Sequence, residues 1–361
     1  MHKEYMARAI EIAKKGMGFV NPNPLVGAVI VKNNVIIGEG YHEIYGAPHA
    51  EVNAINSVTD SCEGATMYVS LEPCSHFGKT PPCADLIIER KFKKVYIATL
   101  DPNPLVSGDG VEKLRNAGIE VEIGLLEEES KAINKVFFKW ISEDEYPYVH
   151  LKFASTLDGK IALSNGNSQW ISNSATLELS QFYRKKYSSI MVGINTLLND
   201  NPRLNCRIDS GCDPYRIVVD AHLKTPIESN FIRMGKLDKK SIIITSEENL
   251  NNEKFILFKN LGINFITLPN FSFDIREVFK AIKKFKIDSV MVEGGSFLIS
   301  SIFKENLFDE GTIVIAPKFT GEDNAISFVH GFSPKTMNDS YNLPNVTFEI
   351  LDDNFVVNFR R

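Results

Sequence analysis

His49-Ala50-Glu51 and, beyond an apolar run at Thr66–Leu71, Pro73-Cys74-Ser75-His76-Phe77-Gly78-Lys79-Thr80-Pro81-Pro82-Cys83 are the stretch on which the reading of this chain turns. One imidazole and two thiolates are a suitable donor set for zinc, and three protein ligands leave the fourth tetrahedral position open to water. An open position marks a catalytic site. A closed structural site would need a fourth ligand, and His42 and His76 are the candidates. Any one of these side chains alone reads as a packed or solvated residue; together, with Pro73 ahead of the first cysteine, they point to zinc chemistry. His-x-Glu followed by Pro-Cys-x-x-Cys is the pattern of zinc deaminases, and here the loop between the cysteines is much longer. Glu51, two residues after His49 at a helix start, can pass a proton from water to a departing amine without ligating the metal. Zinc brings the pKa of water that it holds toward about 7.

Outward from this stretch, apolar spacing predicts a first helix over Lys3–Gly18. The strands Leu25–Val31 and Val35–Gly38 then meet at an Asn33-Asn34 hairpin turn. A helix over Ala50–Ser57, the strand Thr66–Leu71, a helix over Ala84–Glu89 and the strand Lys94–Thr99 follow, then helices over Val111–Ala117 and Glu127–Trp140. Strands alternating with helices imply an α/β sandwich with helices on both faces of the sheet. The charged, proline-ended stretch Ser142–Pro147 predicts a boundary, giving domains over 1–145 and 146–361. A second α/β pattern runs on from there: strand Tyr148–Ala154, helix Ala175–Lys186, strands at Ile190–Val192, Arg216–Asp220 and Ser241–Thr245, helix Ile275–Phe285, strand Ser289–Glu293 and helix Ser296–Lys304. A β-rich segment ends it.

The 361 residues are 43% apolar and 24% charged, with a formal charge of −5, which fits two domains of ordinary composition. No run is long and apolar enough to span a bilayer, and the start lacks the apolar core of a signal peptide, so a cytoplasmic, non-membrane protein is expected. Five cysteines fit reduced thiols better than a disulfide framework. Residues 1–145 carry a net charge of −6 and residues 146–361 a net +1, a poor match for a nucleic-acid partner. No Gly-x-Gly-x-x-Gly occurs. Strand Ser289–Glu293 runs instead into Gly294-Gly295-Ser296 and a helix, where glycines and a helix N-terminus admit a phosphate.

The residues quoted above, with Asp101-Pro102-Asn103-Pro104, resemble the deaminase half of the bifunctional riboflavin-biosynthesis deaminase/reductases. Thr156-Leu157-Asp158-Gly159-Lys160-Ile161-Ala162, Ser168-Gln169-Trp170-Ile171, Val292-Glu293-Gly294-Gly295 and Ala316-Pro317-Lys318 are similar to the reductase half. The resemblance implies a cytidine-deaminase-like α/β/α sandwich followed by an α/β domain like dihydrofolate reductase. It implies hydrolytic deamination of 2,5-diamino-6-ribosylamino-4(3H)-pyrimidinone 5′-phosphate, then NADPH-dependent reduction of the ribosyl group to ribityl. By that likeness His49, Cys74 and Cys83 hold zinc, Glu51 shuttles protons, and Asn23, His42, His76, Lys79 and Asn103 meet the first substrate. Ala154, Trp170, Thr196, Asp200, Ala221 and the run Gly295, Ser296, Phe297, Leu298, Ile299, Ser300, Ser301 meet NADPH. Ser168, Arg184, Leu204, Arg207 and Glu293 meet the second substrate, the two arginines suiting a phosphate monoester. Asn201 and Asn205 stand where the family usually has Asp and Thr, and Val106–Gly110 departs from its usual loop. A homodimer or homotetramer acting on small phosphorylated pyrimidines is implied. A deaminase without the reductase activity, a tRNA or nucleoside deaminase with an accessory domain, and a zinc-stabilised binding module are the alternatives.

Overall fold

Successive residues of one short strand point to opposite faces, and in Gly27–Lys32 both faces are apolar. Ala28 and Ile30 join one buried cluster, Val29 and Val31 another. Such a strand must be covered on both sides, and the computed structural model shows that it is. It describes residues 1–76, 81–103, 107–142, 144–209 and 211–361, which form two compact units, Met1–Asp144 and Glu145–Arg361.

In the first unit β1 (Gly27–Lys32), β2 (Val35–Tyr41), β3 (Thr66–Val69), β4 (Lys94–Ile97) and β5 (Glu120–Ile123) form a sheet in the order β2-β1-β3-β4-β5. The β1–β2 hairpin turns through Asn33 and Asn34, both at positive φ, and β3, β4 and β5 run parallel. Helix α1 (His2–Ala13) covers one face with Met6, Ala9, Ile10 and Ile12. Helices α2 (Ala50–Asn56), α3 (Cys83–Glu89) and α4 (Asp109–Asn116) contribute Ala50, Ala54, Ala84, Ile87, Val111 and Leu114 to the other. The helix expected over Glu127–Trp140 is two, α5 (Glu127–Ile133) and α6 (Lys135–Ile141), broken at Asn134. The amide of Asn134 is drawn off to Leu25, accepting from its N–H at 2.8 Å and donating to its carbonyl at 3.0 Å. The edge strand β5, with its exposed glutamates, was not expected from periodicity.

The second unit holds a nine-stranded sheet. Its strands are β6 (Tyr148–Thr156), β8 (Ser189–Gly193), β9 (Tyr215–Val219), β10 (Ser241–Ser246), β11 (Asn264–Leu268), β12 (Ser289–Glu293), β13 (Glu310–Ala316), β15 (Thr347–Leu351) and β16 (Asn354–Arg360). The order is β11-β10-β9-β8-β12-β6-β13-β16-β15, with β16 antiparallel to β13 and to β15 and every other pair parallel. A separate ribbon pairs β7 (Lys160–Ala162) with β14 (Ile326–Ser327). Helices α7 (Ser174–Lys186), α8 (Ile194–Asp200), α9 (Asn230–Asp238), α10 (Glu253–Asn260), α11 (Ile275–Lys284) and α12 (Ser296–Lys304) connect the strands. One apolar cluster gathers Leu151, Phe153, Met191, Ile217, Ile244, Val292, Ile299 and Phe279. In parallel sheets ligands bind beyond the carboxyl ends of the strands; Glu293 ends β12, and Thr196 lies in the helix that follows β8.

Candidate functional sites

In the first unit the turn into α2 sets His49 at the helix N-cap and Glu51 in its first turn. Cys74 lies in the loop after β3, and Cys83 is the first residue of α3. The fold brings the three together. His49 Nδ1 is 3.5 Å from Cys74 Sγ and 3.4 Å from Cys83 Sγ, and the Cys83 backbone N–H donates to Cys74 Sγ at 3.3 Å. All three ligand atoms lie within 4.8 Å of one another.

This donor set fits zinc on its own chemistry. A hydrogen bond from Cys83, working against burial, holds the Cys74 thiol down at about 4. The bond to Cys74 and then burial push Cys83 well up. One thiolate forms readily beside His49; a second needs a cation among the three ligands. Glu51 is only 3% exposed, and burial, then the Cys74 charge, raises its carboxyl from 4.5 to about 7.

His42 is buried beside His49, ring centroids 5.7 Å apart. Its Nδ1 faces the Pro48 carbonyl at 3.1 Å and its Nε2 faces Asn23 Nδ2 at 3.3 Å. That pairing is satisfied by the tautomer in which Nδ1–H donates to Pro48 and bare Nε2 accepts from Asn23. Burial lowers the pKa of His42, favouring the neutral ring. His42 is therefore tied to Asn23 and stands outside the three-residue metal group. His76 is exposed and also outside it. Asn103 lies in the Asp101–Asn103 turn, its N–H donating to Asp101 Oδ1 at 2.8 Å. Lys79 and Val106 fall outside the described residues.

In the second unit the capping pattern separates two helices from the rest. Asn173, Ser229, Asn252 and Asp274 cap α7, α9, α10 and α11 with their side chains. Helices α8 and α12, which follow the adjacent strands β8 and β12, have no side-chain cap. Before α12 the chain turns through Gly294 and Gly295 at φ +87° and +90°, and a Cβ on Gly294 would meet open space. A Cβ on Gly295 would sit 3.6 Å from Thr196 Oγ1, so the two helix starts adjoin. Uncapped N–H groups behind a glycine turn are the kind of cradle that can accept the phosphates of a dinucleotide.

Around this cradle the candidate residues divide. Ser168 Oγ donates to Asp200 Oδ1 at 3.1 Å, and burial, against that bond, raises the Asp200 pKa. Trp170, 67% exposed, accepts at its carbonyl from Lys318 Nζ at 3.0 Å. Phe297 is 71% exposed and meets His330 edge-on. Ala154 lies in β6, and Ala221 follows β9, its carbonyl accepting from Asn249 Nδ2 at 2.8 Å. Ser296 Oγ donates to the Ser327 carbonyl at 2.7 Å, Leu298 packs near Gly193, and Ser301 is half-buried. The Ile299 side chain belongs to the core and Ser300 Oγ is engaged by His330, so neither side chain opens to the cradle.

Arg184 and Glu293 form an ion pair at 2.6 Å. Arg184 Nη1 also donates to the Asn205 carbonyl at 3.1 Å, and Lys152 Nζ reaches Glu293 Oε1 at 3.5 Å. Burial opposes the charge on Glu293, but Arg184 and Lys152 outweigh it and hold the carboxyl down at about 2. Burial lowers Lys152. Leu204 is buried at positive φ. Arg207 is exposed, and its pKa is lowered by burial, then by the charges of Arg184 and Arg203. Among the described residues neither Arg203 nor Arg207 has an ion-pair partner. Lys152 and Arg203 were not found from sequence. Lys152 is a charged residue inside the apolar run of β6, and Arg203 lies four residues before Arg207; those were the available signals.

Residues 147–350 match the family described as the RibD C-terminal domain, and residues 1–99 the cytidine and deoxycytidylate deaminase zinc-binding region. The chain is 41% identical over 360 residues to riboflavin biosynthesis protein RibD of Aquifex aeolicus, covering 99% of this chain and 98% of that one. It is 41% identical to RibD of Bacillus amyloliquefaciens over 96% of this chain and 92% of the other. Among solved structures, Acinetobacter baumannii RibD superposes with a TM-score of 0.89 at 33% identity, covering 99% of this chain and 98% of that one. A Thermotoga maritima diaminohydroxyphosphoribosylaminopyrimidine deaminase/5-amino-6-(5-phosphoribosylamino)uracil reductase gives 0.87 at 38% identity and the same coverage.

Proposed function

The chain belongs to the RibD family of riboflavin biosynthesis proteins, the bifunctional deaminase/reductases, and on that premise we propose how its residues divide the two reactions. Zinc and NADPH are its cofactors, and its substrates are small molecules. Both family matches fall on one chain, which favours the bifunctional enzyme over a nucleic-acid deaminase with an accessory domain.

In the first unit His49, Cys74 and Cys83 hold zinc, which when bound supplies Lewis acidity that makes water nucleophilic at neutral pH. Glu51 takes a proton at its carboxylate and returns it to the departing amine. Asn23 and the neutral His42 fix the pyrimidine, with Asn103, His76 and Lys79 completing the pocket for its ribosyl phosphate. In the second unit the start of α12 from Gly295 to Ser301 holds NADPH with Ala154, Trp170, Thr196, Asp200 and Ala221. Ile299 and Ser300 act there through the backbone. NADPH supplies the hydride for C1′ of the ribosyl group. Ser168 and Leu204 shape the sugar site. Arg184 is committed to Glu293 and Asn205, so it orients Glu293, while Arg207 and Arg203 offer the free cations for the phosphate.

The observation that carries this reading is the His49–Cys74–Cys83 cluster with buried Glu51 beside it. Two separate assays test it. Ammonia should be released from the diaminopyrimidine ribosylamine phosphate without NADPH, and NADPH should be oxidised only with the deaminated product. Ammonia release without any NADPH oxidation would reduce the chain to a deaminase; neither activity would leave a binding module.

The reading includes a cytoplasmic enzyme that works as a homo-oligomer. All five cysteines are free, and no described helix is long and apolar enough to cross a membrane. On the edge strand β15, Phe348 and Ile350 are 77% and 71% exposed, and Phe355 lies opposite Ile350 on the same face. An exposed apolar edge invites pairing with a second copy of the chain. Sedimentation should find a dimer or larger species, and Ile350→Lys should shift it toward monomer; a wild-type monomer would remove this part of the proposal.

A further inference from the structure

Helix α4 begins at Asp109 behind Gly108, without a side-chain cap of its own. Its cap comes from elsewhere. Glu72, buried at the end of the loop that leads from β3 to Cys74, accepts from Gly108 N–H at Oε2 (3.1 Å) and from Val111 N–H at Oε1 (3.2 Å). Its Oε2 also accepts from Asp101 N–H at 3.3 Å. One carboxylate therefore holds Asp101 together with the start of α4, and its charge sits at the positive end of that helix. The packing is close: a Cβ on Gly110 would lie 2.2 Å from the Pro73 carbonyl and 3.1 Å from Glu72 Oε1. The same backbone turn that carries Cys74 thus grips the segment that carries Asn103.

We infer that Glu72 is a positioning residue for deamination, setting Asn103 relative to the His49–Cys74–Cys83 group through Asp101, whose N–H it holds and whose carboxylate accepts from Asn103 N–H. This rests on the proposed reading of Asn103 as a substrate contact. A carboxylate suits the task because it only accepts, with room for several N–H donors. A glutamine of the same shape would turn an NH₂ toward one or two of those donors. Asp101 and Asn103 would shift while the metal ligands stayed in place.

The test compares Glu72→Gln, Asn103→Ala and the double variant in the full-length zinc-loaded protein. Glu72→Gln should raise KM for deamination about tenfold, with a smaller change in kcat, since a charge-assisted anchor is lost away from the reacting atoms. Zinc content and NADPH oxidation with the deaminated substrate should not change. The double variant should be no worse than Asn103→Ala alone, because the two act through one contact. Amide exchange at Asp101, Gly108 and Val111 should quicken in Glu72→Gln. If that variant does not fold, Glu72→Asp, which keeps the charge and shortens the reach, should show the same KM shift. An unchanged KM, or fully additive effects in the double variant, overturns the inference. Asn103→Ala with wild-type KM would instead overturn the reading of Asn103, whatever Glu72→Gln does.

Discussion

Glu51→Gln is expected to lower hydrolytic deamination by about 10³-fold or more while leaving zinc content and NADPH oxidation at wild-type levels. The side chain is almost wholly enclosed, and glutamine matches its volume and still forms hydrogen bonds, so the variant leaves the packing intact. The substitution removes one property, the capacity to take up and release a proton near neutral pH. Burial has moved the carboxyl to about 7, where it can hold a proton at one moment and surrender it at the next. Metal analysis separates this from damage to the ligand set, since His49, Cys74 and Cys83 are untouched. Ammonia release within tenfold of wild type would remove Glu51 from the reaction.

The donor set was legible because its chemistry is carried by residue types that seldom gather without cause, and because the chain order His, Cys, Cys survives the folding between them. Glu72 was not legible. The three N–H groups it accepts from stand 29, 36 and 39 residues further along, and a glutamate before Pro-Cys has no local signature. Helix α12 was expected over Ser296–Lys304 and occurs there, since a glycine pair punctuates its start. Helix α10 was missed for a physical reason: Phe255, Ile256, Leu257 and Phe258 run consecutively around the helix and give no clear period. The inward turn of Ile299 and Ser300 is set by tertiary packing against the core and His330, which a likeness in sequence does not encode.

Arg184→Ala is expected to lower the reductase kcat/KM by about 10²–10³-fold with deamination unchanged. Arg184 is nearly enclosed and spends one guanidinium nitrogen on Glu293 and another on the Asn205 carbonyl, while among the described residues its buried Nε has no hydrogen-bond partner. Removing the guanidinium leaves Glu293 balanced by Lys152 alone, and breaking a buried pair on one side costs on the order of 3–5 kcal/mol. Arg184→Lys should rescue little, because one ammonium cannot span the Glu293 carboxylate and the Asn205 carbonyl in a fixed plane. Arg207→Ala, at an exposed position, should instead raise KM with little change in kcat. Acid stability gives an independent reading. Glu293 titrates at about 2 in the folded chain, below its usual 4.5, so its stabilising effect is present above pH 4.5 and is lost as pH falls through 2. With Arg184 gone the depression shrinks, and urea midpoints should fall less steeply between pH 4.5 and pH 2 than in wild type. A wild-type acid limb and wild-type turnover in Arg184→Lys would show that a single positive charge suffices there, and that the planar fork has no part in holding Glu293.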